Sequence, residues 1–118
     1  MIYGVGTDII EIDRIEHAIT KWGDGFLSHI FTEPEINYCR QYKKPAQHFA
    51  VRFAAKEAVF KAIGDNPHIT WKDIEIVNDL NGKPVCRMTN GEYQDRKILI
   101  SLSHSKYYAV AHAIITQE

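Results

Sequence analysis

The chain has 118 residues, enough for one domain and too few for two. Fourteen Lys and Arg against fifteen Asp and Glu leave a formal net charge of −1, so bulk charge recruits neither nucleic acid nor a membrane surface. Cys39 and Cys86 stand far apart without a CxxC, which argues against a zinc site or a disulfide framework.

The opening MIYGVGTDII has no basic n-region, and nothing approaches about eighteen consecutive apolar residues; a soluble, cytoplasmic protein with no membrane partner is expected. Met1–Val5 reads as a short strand, with Gly4 and Gly6 before Thr7 and Asp8 suggesting a tight turn. From Asp8, Ile9, Ile12, Ile15 and Ile19 recur at helical spacing, with Asp8 or Thr7 as N-cap and Gly23 as the stop. A short helix is expected within Gly25–Phe31, and Thr32-Glu33-Pro34-Glu35 opens another running to about Tyr42.

Lys43-Lys44-Pro45 breaks that helix, and Ala46–Gly64 then reads as one long helix, free of Pro and Gly from Gln47 to Ile63. At roughly 100° per residue, Glu57 falls about 40° from Phe53, inside the apolar stripe. An ionised carboxylate there needs a cation, either Lys61 one turn on or a bound metal. Arg52, Lys56 and Lys61 are placed around the Glu57 face or its borders, a set of cations suited to an anion.

Beyond Gly64 the texture alternates. Ile74–Val77, the turn run Asn78–Gly82 and Pro84–Thr89 form a hairpin signal; Lys97–Ser103 and Tyr107–Thr116 supply two more strands, with mostly antiparallel pairing. No repeat or linker interrupts the chain, and helices followed by strands make a single α+β domain over residues 1–118. Ser101, Ser103 and Ser105 lack a G-x-S-x-G elbow, which argues against a serine hydrolase.

GVGTDIIEIDRI, RFAAKEAVFKAIG, DIEIVNDLNGKP and ISLSHSKYYAVA follow in order across nearly the whole chain. Together they closely resemble the holo-acyl-carrier-protein synthases, the small single-domain phosphopantetheinyl transferases. The resemblance implies the 4′-phosphopantetheinyl transferase-like fold, a long central helix on a small antiparallel sheet. It implies transfer of 4′-phosphopantetheine from coenzyme A to a serine of an apo acyl carrier protein, releasing adenosine 3′,5′-bisphosphate. It places Mg²⁺ on Asp8 and Glu57, with Lys61 beside the metal and the diphosphate; hard carboxylate and phosphate oxygens are what this ion takes. The serine proton would pass to Glu57 or to solvent at the metal. By the same resemblance Arg52 and His104 contact the charged end of coenzyme A, Asn81-Gly82-Lys83-Pro84 lines the nucleotide pocket, and Arg14 meets an acidic carrier helix. A homotrimer with active sites between subunits is implied as well.

This sequence departs from the family pattern in three places. Asp65-Asn66-Pro67 replaces the usual Gly-Thr-Gly after Gly64, Gly91–Lys97 is too short for the usual outer helix, and Glu11, Asp13, Glu16 and Asp24 dilute the basic character around Arg14. A non-catalytic coenzyme A or nucleotide-binding module with the same fold is therefore the rival reading, and a purely structural oligomerisation domain the third.

Overall fold

A computed structural model describes residues 1–117. In chain order the elements are β1 (Ile2–Glu11), α1 (Ile12–Trp22), α2 (Asp24–Ile30), α3 (Glu33–Arg40), α4 (Pro45–Ile63), a 3-10 turn (Trp71–Asp73), β2 (Ile74–Asn78), β3 (Pro84–Met88), β4 (Lys97–His104) and β5 (Tyr108–Thr116). The α+β reading holds. The strands form two antiparallel sheets, β1-β5-β4 and the hairpin β2-β3.

The α4 helix is the axis of the molecule. The three-stranded sheet lies along one side of it, and α1, α3 and β2 pack on the others. Eleven of its residues are buried, five of them Ala, so it is enclosed on nearly every face. Against it sit the inner residues of β5, Ala109, Ala111, Ala113 and Ile115, all fully buried. Small residues on both partners let strand and helix approach closely.

The glycines of β1 carry that closeness furthest. A Cβ on Gly6 would lie 1.8 Å from the Ala58 carbonyl oxygen, and one on Gly4 would lie 1.9 Å from that of Ala62. Only glycine fits where the strand crosses the helix.

The first carboxylate differs from expectation. Asp8 does not cap a helix: β1 continues to Glu11, paired with β5 in a register that runs Asp8↔Ala111 to Glu11↔Tyr108, and α1 begins only at Ile12. The Ile spacing was read as helical, yet Ile9 stands on the exposed face of β1 while Ile12 and Ile15 are buried from α1. Pairing with a strand a hundred residues later overrides that local pattern. The later elements fall within a residue or two of their expected bounds, and Gly91–Lys97 forms turns with no helix.

Candidate active site

Two elements bring the first group of residues together. β1 presents Asp8, while α4 presents Glu57 and, one turn on, Lys61. Lys61 Nζ lies 3.1 Å from Asp8 Oδ1 and donates to the Thr7 carbonyl at 3.0 Å. The cation that sequence reading offered to Glu57 thus bridges to β1 and pairs with Asp8. Glu57 is half-buried. Desolvation raises its carboxyl above the ordinary range, and the neighbouring Asp8 charge pushes the same way against a smaller pull from Lys61. Two carboxylates and one ammonium leave one net negative charge in a partly desolvated corner.

That corner fits a hard divalent cation. Among the described residues no three His, Cys, Asp or Glu side chains gather as a closed metal cage. Two carboxylates with the remaining positions open is the donor set of Mg²⁺ that shares its shell with substrate phosphates and water. The thiols are unsuited to metal binding, since burial pushes Cys39 and Cys86 up to about 12.

A second group lies elsewhere on α4. Arg52 is buried, stacks over the Tyr38 ring at 4.1 Å and donates from Nη2 to Asn78 Oδ1 at 3.2 Å; its Nε is buried without a partner. His48 stacks on Tyr42 with ring centroids 3.8 Å apart. Burial lowers the His48 pKa, and the charges of Arg52 and His104 act in the same direction; His104 itself is exposed at the end of β4. Asn78 leads into the hairpin turn, where Asp79 Oδ1 accepts from the Asn81 and Lys83 amides at 2.9 Å each and Gly82 takes φ 82°. Pro84 opens β3. Five residues separate Arg52 from Glu57, roughly 140° around the helix, so the two groups face different sides of one chain.

Lys56 is the clear correction. It takes no part in an anion site on the Glu57 face; its side chain points roughly 100° away around the helix, fully buried and paired with Glu35 at 2.8 Å. Sequence reading missed Glu35, although Thr32-x-x-Glu35 has the form of a capping box, and the Glu35 carboxylate does accept the Thr32 amide at 2.8 Å. It also missed a groove of about 580 Å³ beside the α4 N-terminus, with Lys43, Lys44 and Lys106 on its rim. Arg14 is exposed and lines a different groove, of about 490 Å³, with His17, Lys21, Trp22, Phe26 and Phe53. Asp13 and Glu16 face the first groove, so α1 segregates its charges.

A family model described as the 4′-phosphopantetheinyl transferase superfamily matches residues 4–113. The chain is 48% identical to the holo-[acyl-carrier-protein] synthase of Protochlamydia amoebophila, over 97% of this chain and 98% of that one. Among solved structures, the synthase of Bacillus anthracis in complex with CoA (3′,5′-ADP) superposes with TM-score 0.84 at 39% identity, covering 98% of this chain and 96% of that one. The Neisseria meningitidis synthase superposes with TM-score 0.89 at 33% identity, covering 99% and 100%. By sequence and by fold the chain belongs to the 4′-phosphopantetheinyl transferase superfamily, and within it to the enzymes called holo-[acyl-carrier-protein] synthases.

Proposed function

We propose that the chain transfers 4′-phosphopantetheine from coenzyme A to a serine of an apo acyl carrier protein, with Mg²⁺ held by Asp8 and Glu57. The observation that carries this reading is the convergence of Asp8, Glu57 and Lys61 from β1 and α4. The serine hydroxyl attacks the phosphorus bearing the pantetheine arm, the bridging P–O bond of the diphosphate breaks, and adenosine 3′,5′-bisphosphate leaves. Lys61 donates to diphosphate oxygens, orienting the phosphorus and offsetting charge on the leaving group. The serine proton would pass to Glu57 or to solvent at the metal. Bound Mg²⁺ supplies charge neutralisation at the diphosphate.

The nucleotide end belongs with Arg52, His104 and the Asn81–Pro84 turn. Because that group faces away from Asp8 and Glu57 in one chain, a complete cleft needs a neighbour, which supports a homotrimer with sites between subunits. The outer face of the three-stranded sheet suits that contact. It presents Val5 and Ile9 from β1 and, across β5, Leu99 from β4, at 60%, 62% and 43% exposure, with Tyr108 at its end. Carrier docking falls to the Arg14, His17 and Lys21 face of α1, whose cations stand apart from Asp13 and Glu16 and complement an acidic helix. No helix of the described residues is long and apolar enough to cross a membrane.

Intact-mass spectrometry of an apo carrier incubated with the protein, coenzyme A and Mg²⁺ tests the reading. A phosphopantetheine-sized gain that vanishes with chelator and in Glu57→Gln is expected. A folded protein that binds coenzyme A yet adds no mass to any of several carriers would instead be a binding module.

A further inference from the structure

Roughly 100° around α4 from Glu57 lies a buried charge pair that this chemistry does not use. Lys56 Nζ donates to Glu35 Oε1 at 2.8 Å, to the Trp71 carbonyl at 2.9 Å and to the Ile74 carbonyl at 2.5 Å. Glu35 in turn accepts the amides of Thr32 at 2.8 Å and of Ile76 at 2.7 Å. All three ammonium protons and both carboxylate oxygens are engaged, across α3, α4, the 3-10 turn and β2.

A fully buried pair of this kind contributes little net stability compared with apolar side chains of the same volume. Desolvation works against the charged lysine here, lowering its pKa in spite of Glu35. Orientation is what the pair adds. The apolar contacts of α4, those of Phe49 with Phe31 and of Phe53 and Phe60 with Trp71 among them, are non-directional, whereas the bonds of Lys56 fix one azimuth of the helix against α3 and β2. Lys56 and Glu57 are consecutive, roughly 100° apart around the helix, so fixing one azimuth fixes the other.

We infer that the Lys56–Glu35 pair is a positioning device: it sets the rotation and register of α4 against α3 and β2, and thereby the approach of Glu57 to Asp8. This rests on the reading of Asp8 and Glu57 as metal-binding. Lys56 touches neither substrate nor metal; it acts through the helix backbone.

The test is the double variant Lys56→Met/Glu35→Met, which removes both charges together and leaves no orphaned one. It is expected to melt cooperatively, below wild type because the Thr32 and Ile76 amides and the Trp71 and Ile74 carbonyls lose their partners. Mg²⁺ affinity, measured by calorimetry with coenzyme A present and no carrier, is expected to weaken by about tenfold or more, as when outer supports of a metal site are lost. The Mg²⁺ concentration for half-maximal transfer should move in parallel, which a loss of folded fraction alone would not cause. A folded double variant with wild-type Mg²⁺ affinity and half-saturation would overturn the inference. Should the double variant not fold, Lys56→Gln/Glu35→Gln, which removes both charges and keeps hydrogen-bonding groups on both sides, decides by the same two readouts. Absence of Mg²⁺-dependent coenzyme A binding in the wild type would count against the metal reading itself.

Discussion

Glu57 shows how a site residue is held in an environment that does not suit it. Desolvation and the Asp8 charge disfavour its ionised form, and Lys61 compensates only in part because it is engaged with Asp8. The sign of the consequence follows from linkage. With the native pKa raised above the unfolded value of about 4.3, the native state holds a proton the unfolded chain has lost, and stability falls as pH rises through that native value. In chelator at pH 7, Glu57→Gln is therefore expected to melt a few degrees above wild type, with the gap closing as pH approaches 4. Thermal melts across that range check this, and the same substitution should abolish transfer. A variant less stable than wild type at pH 7 would show that its ionised carboxylate has a partner beyond Lys61.

At the scale of elements, the crossing of β1 over α4 decides whether Asp8 and Glu57 meet. Gly6 and Gly4 bring the strand onto the carbonyls of Ala58 and Ala62, and Asp8 follows two residues after Gly6. Gly6→Ala puts a methyl group on backbone that cannot turn aside. Loss of about 1–3 kcal/mol in denaturant unfolding is expected from the forced shift. Transfer should fall about 100-fold even where the variant is fully folded, since displacements near 1 Å carry that cost. Wild-type turnover in a folded Gly6→Ala would mean that the strand–helix distance does not govern the site. The Asp65–Pro67 loop has an analogous local logic: Asn66 Nδ2 donates to Glu92 Oε1 at 3.1 Å and to the Tyr93 hydroxyl at 3.3 Å, so the altered loop and the shortened Gly91–Lys97 segment brace one another.

For the whole molecule, the exposed sheet face and the split between two residue groups on α4 point to one test. Ile9→Lys places a charge on the β1 edge of the outer face, where the residue is 62% exposed in the single chain, so the fold of the chain itself should be unaffected. Sedimentation is expected to show wild type as a trimer and the variant as monomer, with transfer lost in step. A monomeric variant that retains full transfer would place the complete site within one chain.

The sequence by itself determined the local and periodic features: the long α4 helix from its uninterrupted helix formers and the β2-β3 hairpin from its turn residues; the joint role of Asp8 and Glu57 is what the motif resemblance implies. Only the tertiary structure decided what each charge faces. Helix periodicity put Glu57 in the apolar stripe, yet Lys56 is the side chain sealed inside and Glu57 is only half-buried; Glu35, Trp71 and Ile74, brought from distant parts of the chain, settle it. Likewise Asp8 looks like a helix cap until β5 claims β1 residue by residue through Glu11. Helix periodicity and turn chemistry act over a few residues and can be read in order, whereas burial and ion pairing depend on partners that only the folded chain brings within reach.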